Sequence, residues 1–290
     1  MSRIPPDPRA APSGAPRSLI VAAIVACAVA ATCAGLRQPW APIPWLVVLA
    51  LGARHFRSPR VEAAVRTLAP REFPIAGLLL VLAVAAAARL YGIGGLPLGP
   101  YVDEILTLQH SLDLLHRPFD LFGQTPLARA GWVETTHLYL YFDLLLLKIF
   151  GSGFVGMKML SVLPGIVAAG ALFLTAGLLF DPPVALATGL LFATGHWPVR
   201  LSRYGWDASF MVMTFTIALG LLLLALRRGR PLAAYVAGVA LGLCLYSYLG
   251  SRVALLSVLV FFILERVVGR GRPAARLETA FLTGTVATAY

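Results

Sequence analysis

Two adjacent acidic residues, Asp103 and Glu104, follow a stretch rich in glycine and proline at residues 92–100. The apolar periodicity of residues 105–115 predicts a helix that begins directly after them. A carboxylate held at such a position can act as a general base and accept a proton from a reacting hydroxyl. Acidic residues at a helix start can equally cap the helix and interact with its dipole. The residues alone leave both interpretations open.

A second group of ionisable residues consists of Glu134 and His137, which are three positions apart and precede Tyr139 and Tyr141. A carboxylate and an imidazole at this spacing can share a divalent metal ion. They can also form an ordinary solvated pair on the surface. The tyrosines suit the anchoring of a helix at a membrane interface.

Two further stretches, residues 196–207 and residues 246–252, combine arginine with aromatic side chains. Their arginines and the tyrosines of the second stretch are Arg200, Arg203, Tyr246, Tyr248 and Arg252. The planar guanidinium group of arginine fits the oxygens of a phosphate or pyrophosphate ligand. Contact with lipid headgroups is the alternative interpretation.

The composition predicts the kind of scaffold that must position these residues. The chain is 59% hydrophobic and only 13% charged, with a mean hydropathy of +0.81, which exceeds what one soluble core requires. The net charge of +11 comes from 24 basic and 13 acidic residues. The arginines lie in short loops between apolar runs, so membrane topology explains this charge better than a nucleic-acid partner, which we do not expect.

The apolar runs predict an all-α polytopic membrane protein with a large first extracytoplasmic loop that carries interfacial helices. These runs are residues 18–35, 40–53, 73–91, 138–150, 157–180, 184–199, 206–226, 232–249, 253–268 and 277–290. The run 138–150 contains Asp143 and Lys148, and its length of about 20 Å is short of the roughly 30 Å hydrocarbon core. We therefore interpret it as a re-entrant or interfacial helix. The positive-inside rule then places the acidic pair and both arginine stretches outside.

The same charge pattern divides the chain into four segments. Residues 1–17 are predicted to be a disordered cytoplasmic N-terminus, and residues 18–53 an uncleaved transmembrane hairpin. Residues 54–72 form a basic cytoplasmic segment with an interfacial helix, and residues 73–290 form the main membrane domain. Because the last apolar run reaches the chain end, we expect this domain to be truncated.

At these four stretches the sequence resembles the C-type membrane glycosyltransferases (GT-C). The resemblance is to the protein O-mannosyltransferase and lipid A aminoarabinose transferase group, glycosyltransferase family 39. Asp103 and Glu104 match the acidic pair of that family's first outer loop. Residues 134–139 occupy the place of its Pro-Pro-Leu-Tyr-Tyr-like helix, although Thr136 and His137 replace the prolines and Thr135 stands where a lysine is common.

The resemblance extends along the chain from residue 73 to residue 268. The segment from Lys158 to Gly165 is similar to the start of the family's next span. The later outer turns of the family resemble residues 202–204 and 246–252 of this chain. The order and spacing of these stretches together identify the family.

The resemblance implies transfer of a sugar from a polyprenyl-phosphate donor to a glycan, lipid or protein acceptor at the outer face of a membrane, which we expect to be the bacterial cytoplasmic membrane. Asp103 would be the general base, with Glu104 beside it. Arg203 and Arg252, with Tyr246 and Tyr248, would bind the donor, and a divalent metal at Glu134 and His137 could assist. A transporter or lipid flippase is the alternative, as is a non-catalytic scaffold. The charged groups cluster at span ends, which argues against a transporter.

Overall fold

The computed structural model describes residues 46–47, 49–51, 53–54, 75–95, 99–116, 137–248, 250–268 and 275–288. These residues fold into helices joined by short turns, and no β-strand occurs among them. The helices are α1 (Ile75–Leu90), α2 (Val102–His116), α3 (His137–Phe150), α4 (Phe154–Leu179), α5 (Pro182–Thr194), α6 (His196–Arg203), α7 (Ala208–Arg228), α8 (Pro231–Cys244), α9 (Ser251–Val268) and α10 (Ala275–Thr288). The described residues between 46 and 54 are also helical.

By length and composition, α4 and α7 can cross a membrane. They contain 26 and 21 residues, which correspond to about 39 and 32 Å, against a hydrocarbon core of about 30 Å. Shorter apolar helices are α1, α5, α8 and the segment Ser251–Ile263 of α9. Large apolar side chains such as Leu191 and Val253 are exposed on the outside of the bundle, as contact with lipid requires.

Helices α4 and α7 pack against each other and connect two hydrophobic clusters. One cluster joins α1, α4 and α5 around Val81 and Phe173. The other joins α7, α8, α9 and α10 around Tyr235 and Phe281. The hydroxyl of Tyr235 also donates a hydrogen bond to the carbonyl of Leu49 at 3.1 Å, which ties the helical residues near 50 to α8.

Several predicted helices are confirmed with shifted boundaries, and one predicted run is divided. Residues 184–199 were expected to form one helix, but α5 ends at Thr194 and α6 begins at His196. Gly195 between them has φ −58° and ψ 136°, outside the helical region. The cause is Pro198, because its ring would clash with the carbonyl of residue 194 in a continuous helix. The run 232–249 likewise ends early, at Cys244.

The ends of several helices meet at one end of the bundle. Glu104 at the start of α2 contacts Lys158 at the start of α4 and Gly205 just before α7. Arg89 at the end of α1 contacts Ala193 at the end of α5. We call the end of the bundle marked by these five residues the polar end. The C-terminal ends of α4 and α7 consequently point away from it.

Candidate active site

The carboxylate of Glu104 is the centre of the contacts at the polar end. Glu104 is fully buried, and Lys158 Nζ lies 2.5 Å from Oε1 and 2.7 Å from Oε2. The backbone N–H of Gly205 donates to Oε1, and that of Tyr101 donates to Oε2 at 2.8 Å. The contact with Tyr101 is that of an acidic residue capping the first turn of its own helix. Both oxygens of Glu104 therefore have protein partners.

Lys158 is a buried cation that is stabilised from two directions. Its ammonium group faces Glu104 and also lies 4.8 Å from the ring centroid of Phe154 and 5.6 Å from that of Tyr204. A buried charge needs such pairing, because its desolvation is costly. Gly205 lets the backbone at this turn lie close to α4, since a Cβ at position 205 would meet the carbonyl oxygen of Met157 at 3.0 Å.

Asp103 differs from its neighbour in its surroundings. Its side chain is partly exposed, whereas that of Glu104 is fully buried. Successive residues of a helix point about 100° apart, so the two carboxylates cannot face the same group. Within the described part of the chain, Asp103 forms no hydrogen bond or ion pair. Its carboxylate is the member of the acidic pair that remains accessible.

Asp207 is a second carboxylic acid near Asp103, and sequence analysis gave it no role. It immediately precedes α7. Burial raises the pKa of the Asp207 carboxyl to about 7; backbone N–H groups, including that of Ala208, oppose this, and the charge of Asp103 adds to the increase. The available sequence signal was an aspartate at the start of the apolar run 206–226. Its proximity to residue 103 was not visible in the sequence.

Three aromatic rings adjoin the acidic pair. The ring centroid of Tyr101 lies 6.0 Å from that of Tyr204 and 5.4 Å from that of Trp206, and the latter two are 5.8 Å apart. The hydroxyl of Ser161 donates to the carbonyl of Trp206 at 2.8 Å, which fixes this turn against α4. Tyr101, directly before α2, and two residues between α6 and α7 thus form one aromatic wall next to the start of α2, where Asp103 lies.

The predicted donor-binding residues occupy different environments. Arg203 is partly buried, and its Nη1 donates to the carbonyl of Ala88 in α1 at 3.3 Å. Arg252 and Tyr248 are exposed, and Tyr246 is partly buried. The turn that carries Tyr246 and Tyr248 lies close to the first turn of α7, because Cys244 Sγ is 3.6 Å from the carbonyl oxygen of Met211. Both arginine stretches therefore lie at the polar end.

Arg89 lies within the predicted apolar run 73–91, and the structure gives it a distinct position. The side chain is fully buried. Its Nη1 donates to the carbonyl of Ala193 at 2.9 Å, and its Nε donates to Ser202 Oγ at 3.1 Å. A cation at the C-terminal carbonyls of a helix is favourable, so Arg89 fastens α1 to α5 and α6.

Asp143 lies in α3 and has a partner in α2; its cost in hydrocarbon is one reason to interpret residues 138–150 as a re-entrant or interfacial helix. It is buried, and the hydroxyl of Ser111 donates to its Oδ2 at 2.6 Å. The hydroxyl of Tyr139, also in α3, lies 3.5 Å from the carbonyl oxygen of Gly205. At 14 residues, α3 extends about 21 Å. These contacts hold α2, and with it the acidic pair, against the bundle.

The predicted metal ligands lie at the start of α3 and in the sequence just before it. Glu134 lies outside the described residues, and His137 is described only as the first residue of α3. Among the residues that the structure describes, no group of three or more histidine, cysteine or acidic side chains is arranged to hold a metal ion. The hypothesis of a metal at Glu134 and His137 stays a prediction.

Comparison with known proteins bears on the region from α3 to α10. A family model described as dolichyl-phosphate-mannose-protein mannosyltransferase matches residues 135–289, more than half of the chain. Neither a curated protein nor a solved structure matches this chain. Asp103 and Glu104 precede the matched region, and Glu104 contacts Lys158 and Gly205 within it. The chain therefore belongs to the dolichyl-phosphate-mannose-protein mannosyltransferase family, and is an all-α membrane glycosyltransferase of the C type.

Proposed function

We propose that the chain transfers a sugar from a polyprenyl-phosphate donor to a hydroxyl group of a glycan, lipid or protein acceptor. The observation that carries this proposal is the contrast within the acidic pair. Glu104 is enclosed by Lys158 and two backbone N–H groups, whereas Asp103 is partly exposed beside an aromatic wall. A general base must reach the proton that it accepts, and Asp103 meets that requirement.

In the proposed reaction Asp103 accepts the proton of the acceptor hydroxyl as its oxygen forms a bond with the anomeric carbon of the sugar. The bond between that carbon and the phosphate oxygen breaks, and the polyprenyl phosphate leaves with the electron pair. The sugar passes through an oxocarbenium-like state, as in other glycosyl chemistry. Glu104 is a positioning residue in this scheme, because it fixes the first turn of α2 and thereby the direction of Asp103.

The departing phosphate gains negative charge, which cationic donors stabilise. Arg203 and Arg252 are proposed for this purpose, with Tyr246 and Tyr248 nearby, since both arginine stretches lie at the polar end. A divalent ion held by Glu134 and His137 would supply the same stabilisation, but no step of the scheme depends on it.

The proposed site faces the extracytoplasmic side of the bacterial cytoplasmic membrane. The support is the charge at the other end of the bundle, where Arg227 and Arg228 end α7 and Arg230 precedes α8. Such a basic loop between two apolar helices is retained in the cytoplasm under the positive-inside rule. The polar end then lies outside, where a lipid-linked sugar is transferred to secreted or envelope acceptors.

The test is sugar transfer in membranes that contain the full chain and a radiolabelled polyprenyl-phosphate sugar. Asp103→Asn keeps the size of the side chain and removes its basicity, so turnover should fall by about 10²–10⁴-fold. Asp113→Asn is the matched control, because Asp113 is exposed on the same helix, and it should keep wild-type turnover. Wild-type turnover of Asp103→Asn at equal expression would refute the assignment.

A further inference from the structure

Helix α6 has two chemically different faces. Ser202 is buried and accepts the hydrogen bond from Arg89, whereas Trp197 is 65% exposed and Arg200 is also exposed. The helix joins α5 to α7, and α7 is long enough to cross the membrane, so α6 lies at the end of that span. Exposed tryptophan and arginine side chains at this level are typical of the boundary between lipid and water.

Arg200 is held by aromatic rings. Its Cζ lies 5.8 Å from the ring centroid of Trp197 and 5.9 Å from that of Tyr204. Ring contacts of this kind stabilise the guanidinium group but leave its N–H donors in their plane unused. No carboxylate or carbonyl of the described residues accepts a hydrogen bond from Arg200. Arg203, one turn further along, differs because it donates to the carbonyl of Ala88.

The rings that hold Arg200 also connect it to the acidic pair. The ring centroid of Tyr204 lies 5.9 Å from the Cζ of Arg200 and 6.0 Å from the ring centroid of Tyr101. The Cζ of Arg200 is therefore at most about 12 Å from the ring centroid of Tyr101. Tyr101 precedes Asp103 by two residues. Arg200 and the proposed base Asp103 therefore lie at the same end of the bundle, linked through the rings of Tyr204 and Tyr101.

We propose that Arg200, in addition to Arg203 and Arg252, binds the phosphate group of the lipid-linked donor, with Trp197 and Tyr204 holding its guanidinium plane. Arginine presents parallel N–H donors that match two oxygens of a phosphate, and a ring-held arginine loses less freedom on binding. The inference rests on the proposed function for the identity of the donor. A phospholipid headgroup offers the same phosphate chemistry at the membrane surface, so the two sources must be separated by experiment.

The experiment measures lipid binding to the full chain in phosphatidylcholine nanodiscs. The probes are a long-chain polyprenyl phosphate, the corresponding polyprenol without phosphate, and phosphatidylglycerol. Arg200→Ala should weaken binding of the polyprenyl phosphate by about 10–100-fold and leave polyprenol binding unchanged. Arg200→Lys should lose less, because it keeps the charge but not the planar donors. The matched control is Arg227→Ala, since Arg227 is exposed at the opposite end of α7.

Two results would overturn the inference. One is equal binding of polyprenyl phosphate by the wild-type protein and Arg200→Ala, when thermal unfolding shows that both proteins are folded. The other is a loss of phosphatidylglycerol binding alone, which would make Arg200 an ordinary headgroup anchor. The transfer assay separates this inference from the proposed function. Binding that depends on Arg200, with no sugar transfer by the wild-type protein, would support the phosphate site and refute the proposed function. Sugar transfer with an unchanged donor KM in Arg200→Ala would support the proposed function and refute the phosphate site.

Discussion

The buried ion pair between Glu104 and Lys158 allows a strong prediction about stability. Both side chains are fully buried, and Lys158 Nζ contacts both carboxylate oxygens. Glu104→Gln would leave the ammonium group buried without a counter-charge. Breaking a buried pair in this way costs about 3–5 kcal/mol, a large part of the roughly 5–15 kcal/mol that stabilises a typical protein. For a chain of this size the melting temperature should fall by roughly 6–20 °C.

Removing both charges should be less harmful than removing one. In the double variant Glu104→Gln with Lys158→Met, no buried charge remains, and methionine fills much of the volume of the lysine stem. A double-mutant cycle on thermal unfolding in detergent should therefore give a large favourable coupling between the two residues. Transfer activity must be compared per folded molecule, because losses in Glu104→Gln reflect unfolding and misplacement of α2.

The result that would refute this reasoning is additivity. If the stability loss of the double variant equals the sum of the losses of the two single variants, the pair does not hold α2 to α4. The same conclusion follows if Glu104→Gln and Lys158→Met each leave the melting temperature within about 2 °C of wild type. For the chemical step alone, Glu104→Gln should be milder than Asp103→Asn, because Asp103 is the proposed base. The structure keeps that order only for the chemical step in folded protein, since the ion pair makes Glu104→Gln the more destabilising change.

Two further predictions concern charge and topology. Burial raises the pKa of Asp207 to about 7 from an unfolded value near 4, so between these pH values the native state binds more protons than the unfolded state. The free energy of unfolding should therefore fall as pH rises from about 4 to 7, by less than about 1.4 kcal/mol per pH unit. The melting temperature of Asp207→Asn should change less between about pH 5 and 8 than that of wild type. An identical dependence of the melting temperature on pH would contradict the assignment. A cysteine placed at Gly229, in the basic turn between α7 and α8, should resist labelling by an impermeant reagent from outside intact cells, and labelling there would reverse the topology.

Much of the scaffold was predictable from the sequence, because the interactions responsible are local or averaged over many residues. Apolar runs specify helices that must be buried in lipid or protein, and the all-α membrane fold follows from them. Helix α3 was predicted within one residue at its start, and the helix after the acidic pair within three. Residue types marked the acidic pair and the two arginine stretches as unusual, and the family resemblance followed from their order.

The tertiary structure alone decided what each polar residue does, because its partners are distant in the sequence. Glu104 turns inward because Lys158 and Gly205, 54 and 101 residues further along, supply its charge partner and an N–H donor. Arg89 can lie inside the bundle because the end of α5, 104 residues away, presents free carbonyls. Helical periodicity shows only that neighbouring side chains diverge. Which carboxylate of the acidic pair stays accessible depends on these long-range contacts, and they leave Asp103 facing outward.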